Sequence, residues 1–128
     1  MNRIVDPESI APPAAAYAHG IVSTAPGRIL HTAGVVAVRP DGTVPHGIAE
    51  QAETVWSNLT AILAEADMMT TDIVSVVTYA VVGEDLGPVM AARDAALEGH
   101  IAASTLVTVP ALVRPEWRVE VAIVAVAD

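Results

Sequence analysis

Glu120 sits inside a largely apolar C-terminal run, Trp117 to Val126. The run is β-branched and reads as a strand covered on both faces. An unpaired carboxylate there would cost several kcal/mol, so it must be paired, protonated, or set at the wall of a polar pocket. A carboxyl group that burial has raised toward neutrality can hold or activate a water, or protonate a carbanion-like centre. The competing reading is an ion pair with Arg118, two residues away on the same strand face, or with a neighbour's arginine.

Other residues carry possible chemistry in a similarly divided way. Tyr17 can orient a ligand through its hydroxyl, or simply anchor the N-terminal arm. Arg93 falls on the apolar stripe of a helix, where it either serves a ligand or snorkels at the helix edge. Ser104 and Thr105 can donate hydrogen bonds to a small ligand, or cap a strand edge. Trp117 either walls a ligand cleft or packs on a subunit rim. Gly34 can bring its backbone close to a ligand, or mark a bulge. His19, His31, His46 and His100 show no metal-ligand spacing.

The composition removes several mechanisms. The chain has no lysine and no cysteine; its six cations are all arginines. Schiff-base, thiolate and cysteine-metal chemistry are therefore excluded. No Ser-His-acid arrangement is brought together by the order of elements. Acid/base or electrostatic catalysis of water addition remains. A net charge of -9 sets the chain against nucleic acid. The N-terminus is not a signal peptide, and no apolar run approaches a membrane span. A cytoplasmic protein is expected.

These residues must be held by one domain over 1–128, with residues 1–16 as an extended arm. Strands are expected at Gly20 to Ala25 and Arg28 to Val38, split by Pro26-Gly27. Ala52, Val55, Trp56, Leu59, Ile62, Leu63 and Ala66 repeat at helical steps and predict a helix from Ile48 to Ala66, with Trp56 in the core. Glu50, Gln51, Glu53, Thr54 and Asn58 fall mostly outside that stripe. A third strand is expected at Ile73 to Val82. Asp85 is the expected N-cap of a second helix, and Gly99 its C′ glycine. Further strands are expected at Ser104 to Val109 and Trp117 to Ala127. The order β-β-α-β-α-β-β implies an α+β domain with two helices on one face of a mixed sheet. The other face is still apolar. At 53% hydrophobic composition, identical chains are its expected cover.

At this point the motifs converge on a resemblance. Pro12 to Gly20, with Tyr17, looks like the N-terminal segment of the reactive intermediate deaminase (RidA/YjgF) family. Leu30-His31-Thr32-Ala33-Gly34 resembles that family's strand ending in Ser-Gly. Gln51 to Ala66 is similar to its first helix, including Asn58-Leu59 and Ala61-Ile62-Leu63. Arg118-Val119-Glu120-Val121 resembles its C-terminal Val-Glu-Ile signature. The likeness runs from about Pro12 to Ala127. It implies a chorismate-mutase-like fold and a homotrimer around a central barrel, with ligand clefts between subunits. It also implies hydrolysis of reactive enamines and imines, such as 2-aminoacrylate, to keto acids and ammonia without metal or organic cofactor.

The sequence departs from the family where substrate is held. By the resemblance, Ser104 stands where the family has its carboxylate-binding arginine, and Met90 where it has an asparagine. A serine lacks the bidentate fork of arginine. Arg93 is a candidate replacement from another wall. Three functions follow as expectations: a divergent hydrolase of a small enamine or imine lacking the usual carboxylate contact; a non-catalytic trimer binding a metabolite or partner; and a specialised pathway deaminase or water-adding enzyme.

Overall fold

A computed structural model describes residues 1–128. Its centre is a sheet with strand order β3 (Arg28–His31), β7 (Val119–Ala127), β5 (Ile73–Val81) and β6 (Ala103–Val109). A short strand β4 (Val35–Val36) pairs with β7 beyond the end of β3. All pairs are antiparallel except β5 with β6. That parallel pair needs a crossover, which helix α2 (Leu86–Leu97) supplies. Helix α1 (Ile48–Glu65) packs beside α2.

The helices form where the apolar spacing predicts them. Val55, Trp56, Leu59 and Leu63 of α1 are buried against Val76, Val121, Ile123 and Ala125 of the sheet. Truncating a fully buried leucine such as Leu59 to alanine costs about 2–5 kcal/mol. The first helix ends in a left-handed residue, Asp67 (φ 53°), after which the Met68 N–H donates to the Leu63 carbonyl at 2.9 Å. This bond satisfies one of the last free carbonyls and folds the apolar Met68 back into the core. The second helix is capped by the Asp85 carboxylate, which accepts the Gly87 N–H at 3.0 Å. It stops through two left-handed residues, Glu98 and Gly99. No helix is long and apolar enough to cross a membrane.

Three features depart from the sequence reading. The arm is not merely extended: Asn2–Val5 forms strand β1, paired antiparallel with β2 (Gly20–Ser23) as a separate two-stranded sheet. The expected strand from Arg28 to Val38 is two strands, interrupted at Thr32 to Gly34. There Thr32 exchanges bonds with Ile123 through its side chain as well as its backbone: its Oγ1 accepts the Ile123 N–H, and its own N–H donates to the Ile123 carbonyl. Finally, β7 begins at Val119, leaving Trp117 and Arg118 in the preceding loop.

Gln51 explains how that loop is held. The side chain is 1% exposed, although its position lies off the apolar stripe. Its Nε2 donates to the Pro45 and Glu116 carbonyls, each at 2.8 Å. Its Oε1 accepts the Arg118 N–H at 2.9 Å. One buried amide thus joins the entry to α1 to the entry to β7, two residues before Glu120.

Candidate functional site

Strand register decides which residues meet. Glu120 is paired with Val36 on one side and Tyr79 on the other, and Tyr79 with Val107. Paired residues project from the same face, so Val36, Glu120, Tyr79 and Val107 form one row. The alternate residues Val119, Val121 and Ile123 are buried under the helices. Glu120 therefore lies on the sheet face away from the helices, half-buried.

Glu120 does not pair with Arg118. Arg118 donates through Nε to Glu84 Oε1 at 2.7 Å, and Glu120 has no salt bridge within the chain. Its carboxylate instead lies over Gly34. A Cβ built at position 34 would stand 2.6 Å from Glu120 Cδ and closer still to Oε2. Gly34 lies between β3 and β4, where the three residues 32–34 oppose only two of β7 in the manner of a bulge, and the group approaching its backbone is the Glu120 side chain.

Ser104 and Thr105 separate onto opposite faces. Thr105 is paired with Val77, itself paired with Ala122, which puts it on the Glu120 face. It lies two strands from Glu120, about 12 Å away by ladder spacings. Ser104 is paired with the buried Val76 and faces α2. The two hydroxyls cannot serve one small ligand from one side. Of the pair, Thr105 is the residue that shares a face with the glutamate.

A second group gathers around Ser104. Arg93 is only 7% exposed, so it does not snorkel. Its Nε donates to Asp94 Oδ1 at 3.0 Å, and its Nη1 to Ser104 Oγ at 3.4 Å. Tyr17 reaches the same place because its segment runs along the start of β6. The Ala18 N–H donates to the Ala102 carbonyl at 2.9 Å, and Ala18 bridges Ala103 in parallel. The Tyr17 hydroxyl accepts the Ala14 N–H at 3.3 Å. Tyr17, Met90, Arg93 and Ser104, with Ala15 and Leu106, line a cavity of about 230 Å³.

The expected site residues thus fall into two places within one chain. Glu120, Gly34 and Thr105 share the open face; Tyr17, Met90, Arg93 and Ser104 share the cavity on the helix side. Trp117 belongs to neither: it is half-buried in the loop before β7, with the Arg114 guanidinium 5.5 Å from its ring centre. Sequence reasoning missed Tyr79, whose side chain stands beside Glu120. The alternation of its strand was readable, but its pairing partner was not. Two of the four histidines are otherwise engaged: His100 Nε2 lies 2.7 Å from the Ile73 carbonyl, and His19 Nε2 lies 2.8 Å from that of Ala11. No group of three His, Asp or Glu side chains converges in a way that could hold a metal ion.

Comparison with known proteins places this architecture. The family profile described as Endoribonuclease L-PSP matches residues 8–127. YyfB of Yersinia pestis, a protein of unknown function in the conserved Rid family, is 30% identical over 98% of both chains, with a TM-score of 0.87. The YjgF gene product of E. coli is 25% identical over 98% of this chain and 99% of its own, with a TM-score of 0.73. Yeast Mmf1 is 26% identical over the whole of both chains, with a TM-score of 0.70. No curated protein matches the sequence. The profile spans nearly the whole chain, and the solved Rid structures share its two helices on a mixed sheet: the chain belongs to the Endoribonuclease L-PSP family, that of the RidA/YjgF proteins.

Proposed function

We propose that the chain is a divergent RidA-like hydrolase that converts a small reactive enamine or imine to a carbonyl compound and ammonia. An enamine first takes up a proton at carbon and becomes the imine; water then adds across the C=N bond, the C–N bond breaks, and the nitrogen leaves as ammonia. The observation that carries this reading is Glu120: a carboxylate without an ion-pair partner in the chain, standing on an apolar sheet face against Gly34. Such a group can position the attacking water and pass its proton to the departing nitrogen. Without lysine or cysteine the chain offers neither a Schiff-base amine nor a thiolate, so water attacks the imine carbon directly rather than through a covalent intermediate.

The open face is too shallow to exclude water from a reaction in a single chain. We infer that copies of the chain, as a trimer, cover it and form the cleft. The family description names an endoribonuclease, but a net charge of -9 opposes the phosphate neutralisation that RNA requires, and a small molecule is the better ligand.

The test is hydrolysis of 2-aminoacrylate generated in situ by a dehydratase. Pyruvate should form faster than in the uncatalysed reaction, and Glu120→Gln should remove the acceleration while leaving fold and assembly intact. An equal rate with and without protein would exclude this substrate. Loss of stability without a specific loss of rate would make Glu120 structural.

A further inference from the structure

Two adjoining cavities lie between the β1–β2 hairpin and the turn that follows α2. The first, of about 340 Å³, is walled by four isoleucines, Ile4, Ile21, Ile73 and Ile101. The second, of about 280 Å³, shares Asn2 and His100 with the first and adds Asp72 and Asp128. His100 thus stands where the two meet, and its hydrogen is placed by its surroundings. The left-handed Glu98 and Gly99 turn the chain out of α2, and the His100 N–H donates to the Leu97 carbonyl at 2.9 Å. The ring Nε2 lies 2.7 Å from the Ile73 carbonyl. A carbonyl oxygen only accepts, so Nε2 carries the hydrogen, and in the neutral ring Nδ1 is left as an acceptor. Nδ1 has no partner within the chain, and it is not sealed in, because no side-chain nitrogen or oxygen is both fully buried and unpartnered.

The other polar groups sharpen the picture. Asn2 is engaged at both ends of its amide: Nδ2 donates to the Val126 carbonyl, and Oδ1 accepts the Ser23 hydroxyl. Asp72 accepts the Met69 N–H through Oδ2 at 2.8 Å and has no ion pair in the chain. Asp128 shows what a carboxylate takes here, since its Oδ1 holds the Met1 amino group at 3.2 Å. No arginine lines either cavity. The free groups are therefore acceptors, one of them charged, beside an aliphatic wall. They call for a ligand with a positive, hydrogen-donating head and an aliphatic tail. A primary ammonium brings three N–H donors. A carboxylate head would meet Asp72 with like charge. A quaternary ammonium would want an aromatic cage, and no Trp, Tyr or Phe lines either cavity.

We propose that these joined cavities bind a small primary alkylamine as its ammonium, with the head between His100 Nδ1 and Asp72 and the tail among Ile4, Ile21, Ile73 and Ile101. The site shares no residue with Gly34 and Glu120 or with the cavity of Tyr17 and Arg93. It stands whether or not the chain is a hydrolase.

Calorimetric titration of the full chain with isoamylamine tests the site. Saturable binding of one amine per chain is expected. Isoamyl alcohol keeps the tail without the charge, isovalerate reverses the charge, and methylamine keeps the head without the tail. Each should bind at least about tenfold more weakly. His100→Phe keeps a ring but loses the acceptor, and should weaken the amine about three- to tenfold. Should that variant fail to fold for want of the bond to Ile73, two others carry the test. Asp72→Asn keeps an acceptor for the Met69 N–H and removes only the charge. Ile4→Ala shortens the aliphatic wall at a position already 45% exposed. Each should weaken binding about three- to tenfold. No saturable binding of isoamylamine, the alcohol or the carboxylate binding as tightly as the amine, or affinity unchanged in every folded variant would overturn the proposal.

Discussion

The Glu120 carboxylate lies against the Cα of Gly34, where any side chain would collide with it: a Cβ there would be 2.6 Å from Cδ. Gly34 has no left-handed φ, so alanine is compatible with its backbone. The clash runs from the carboxylate back to Cγ, 2.9 Å away, so the flexible Glu120 side chain must turn from its base to relieve it. Gly34→Ala should therefore change stability by less than about 1 kcal/mol while moving the carboxylate. Under the proposed function, enamine hydrolysis should fall about tenfold or more with little change in the melting temperature. A variant with full activity would show that the carboxylate position does not matter.

Gln51 makes three hydrogen bonds from a fully buried position, tying Pro45, Glu116 and Arg118 together. Gln51→Leu keeps the volume but leaves two carbonyls and one N–H without partners. Each orphaned group costs about 1–3 kcal/mol unless water reaches it. A loss of roughly 2–4 kcal/mol is expected in urea unfolding. Unchanged stability would mean that the two loops are held by other contacts.

The two helices were legible because their signals are local: apolar residues at three- and four-residue steps, Asp85 as a cap and Gly99 as a stop. The interruption between β3 and β4 was not, because its cause is a bond from Thr32 to Ile123, 91 residues away. Strand β1 was hidden for a similar reason, since a four-residue strand takes its stability from a partner and β2 lies beyond a long loop. Ser104 and Thr105 show the limit most clearly. Alternation says that they face opposite sides, but only the register against β5 says which faces the glutamate, and a one-residue slip would reverse the answer. The burial of Gln51 likewise depends on carbonyls supplied by loops.

Asp41 shows a local electrostatic effect that can be checked by pH. Its carboxylate accepts the Thr43 hydroxyl at 2.7 Å and the Thr43 N–H at 2.9 Å. The hydroxyl bond is the larger cause, with the backbone bond next, holding its pKa below the ordinary 3.8. A lowered folded-state pKa stabilises the fold above the unfolded value, and the effect is lost as pH falls through the folded one. Thr43→Val should raise the Asp41 pKa in an NMR titration. Its small stability deficit at neutral pH should vanish in acid, as the carboxylate protonates in both proteins. A deficit that persists below that range would come from the turn itself rather than from the charge.

The open sheet face provides the last test. Ile29 and Val107 project from it 55% and 40% exposed, and between them lie the half-buried Ala122, Val124, Val77 and Tyr79. A contiguous apolar surface of this kind is uncommon on a monomer, and closed symmetry is the usual way identical chains cover one. Ala122 lies on β7 two residues from Glu120 and points to the same face, away from the helices. Ala122→Glu adds a charge to this face without touching the residues buried under α1 and α2. Sedimentation of the unaltered protein should give three chain masses, and the variant should sediment as one chain with its helical circular dichroism kept. Dissociation should also abolish enamine hydrolysis, because the proposed cleft exists only between copies. A stable monomer of the unaltered protein at micromolar concentration would remove that cleft, and an assembled variant would place the contact on some other face.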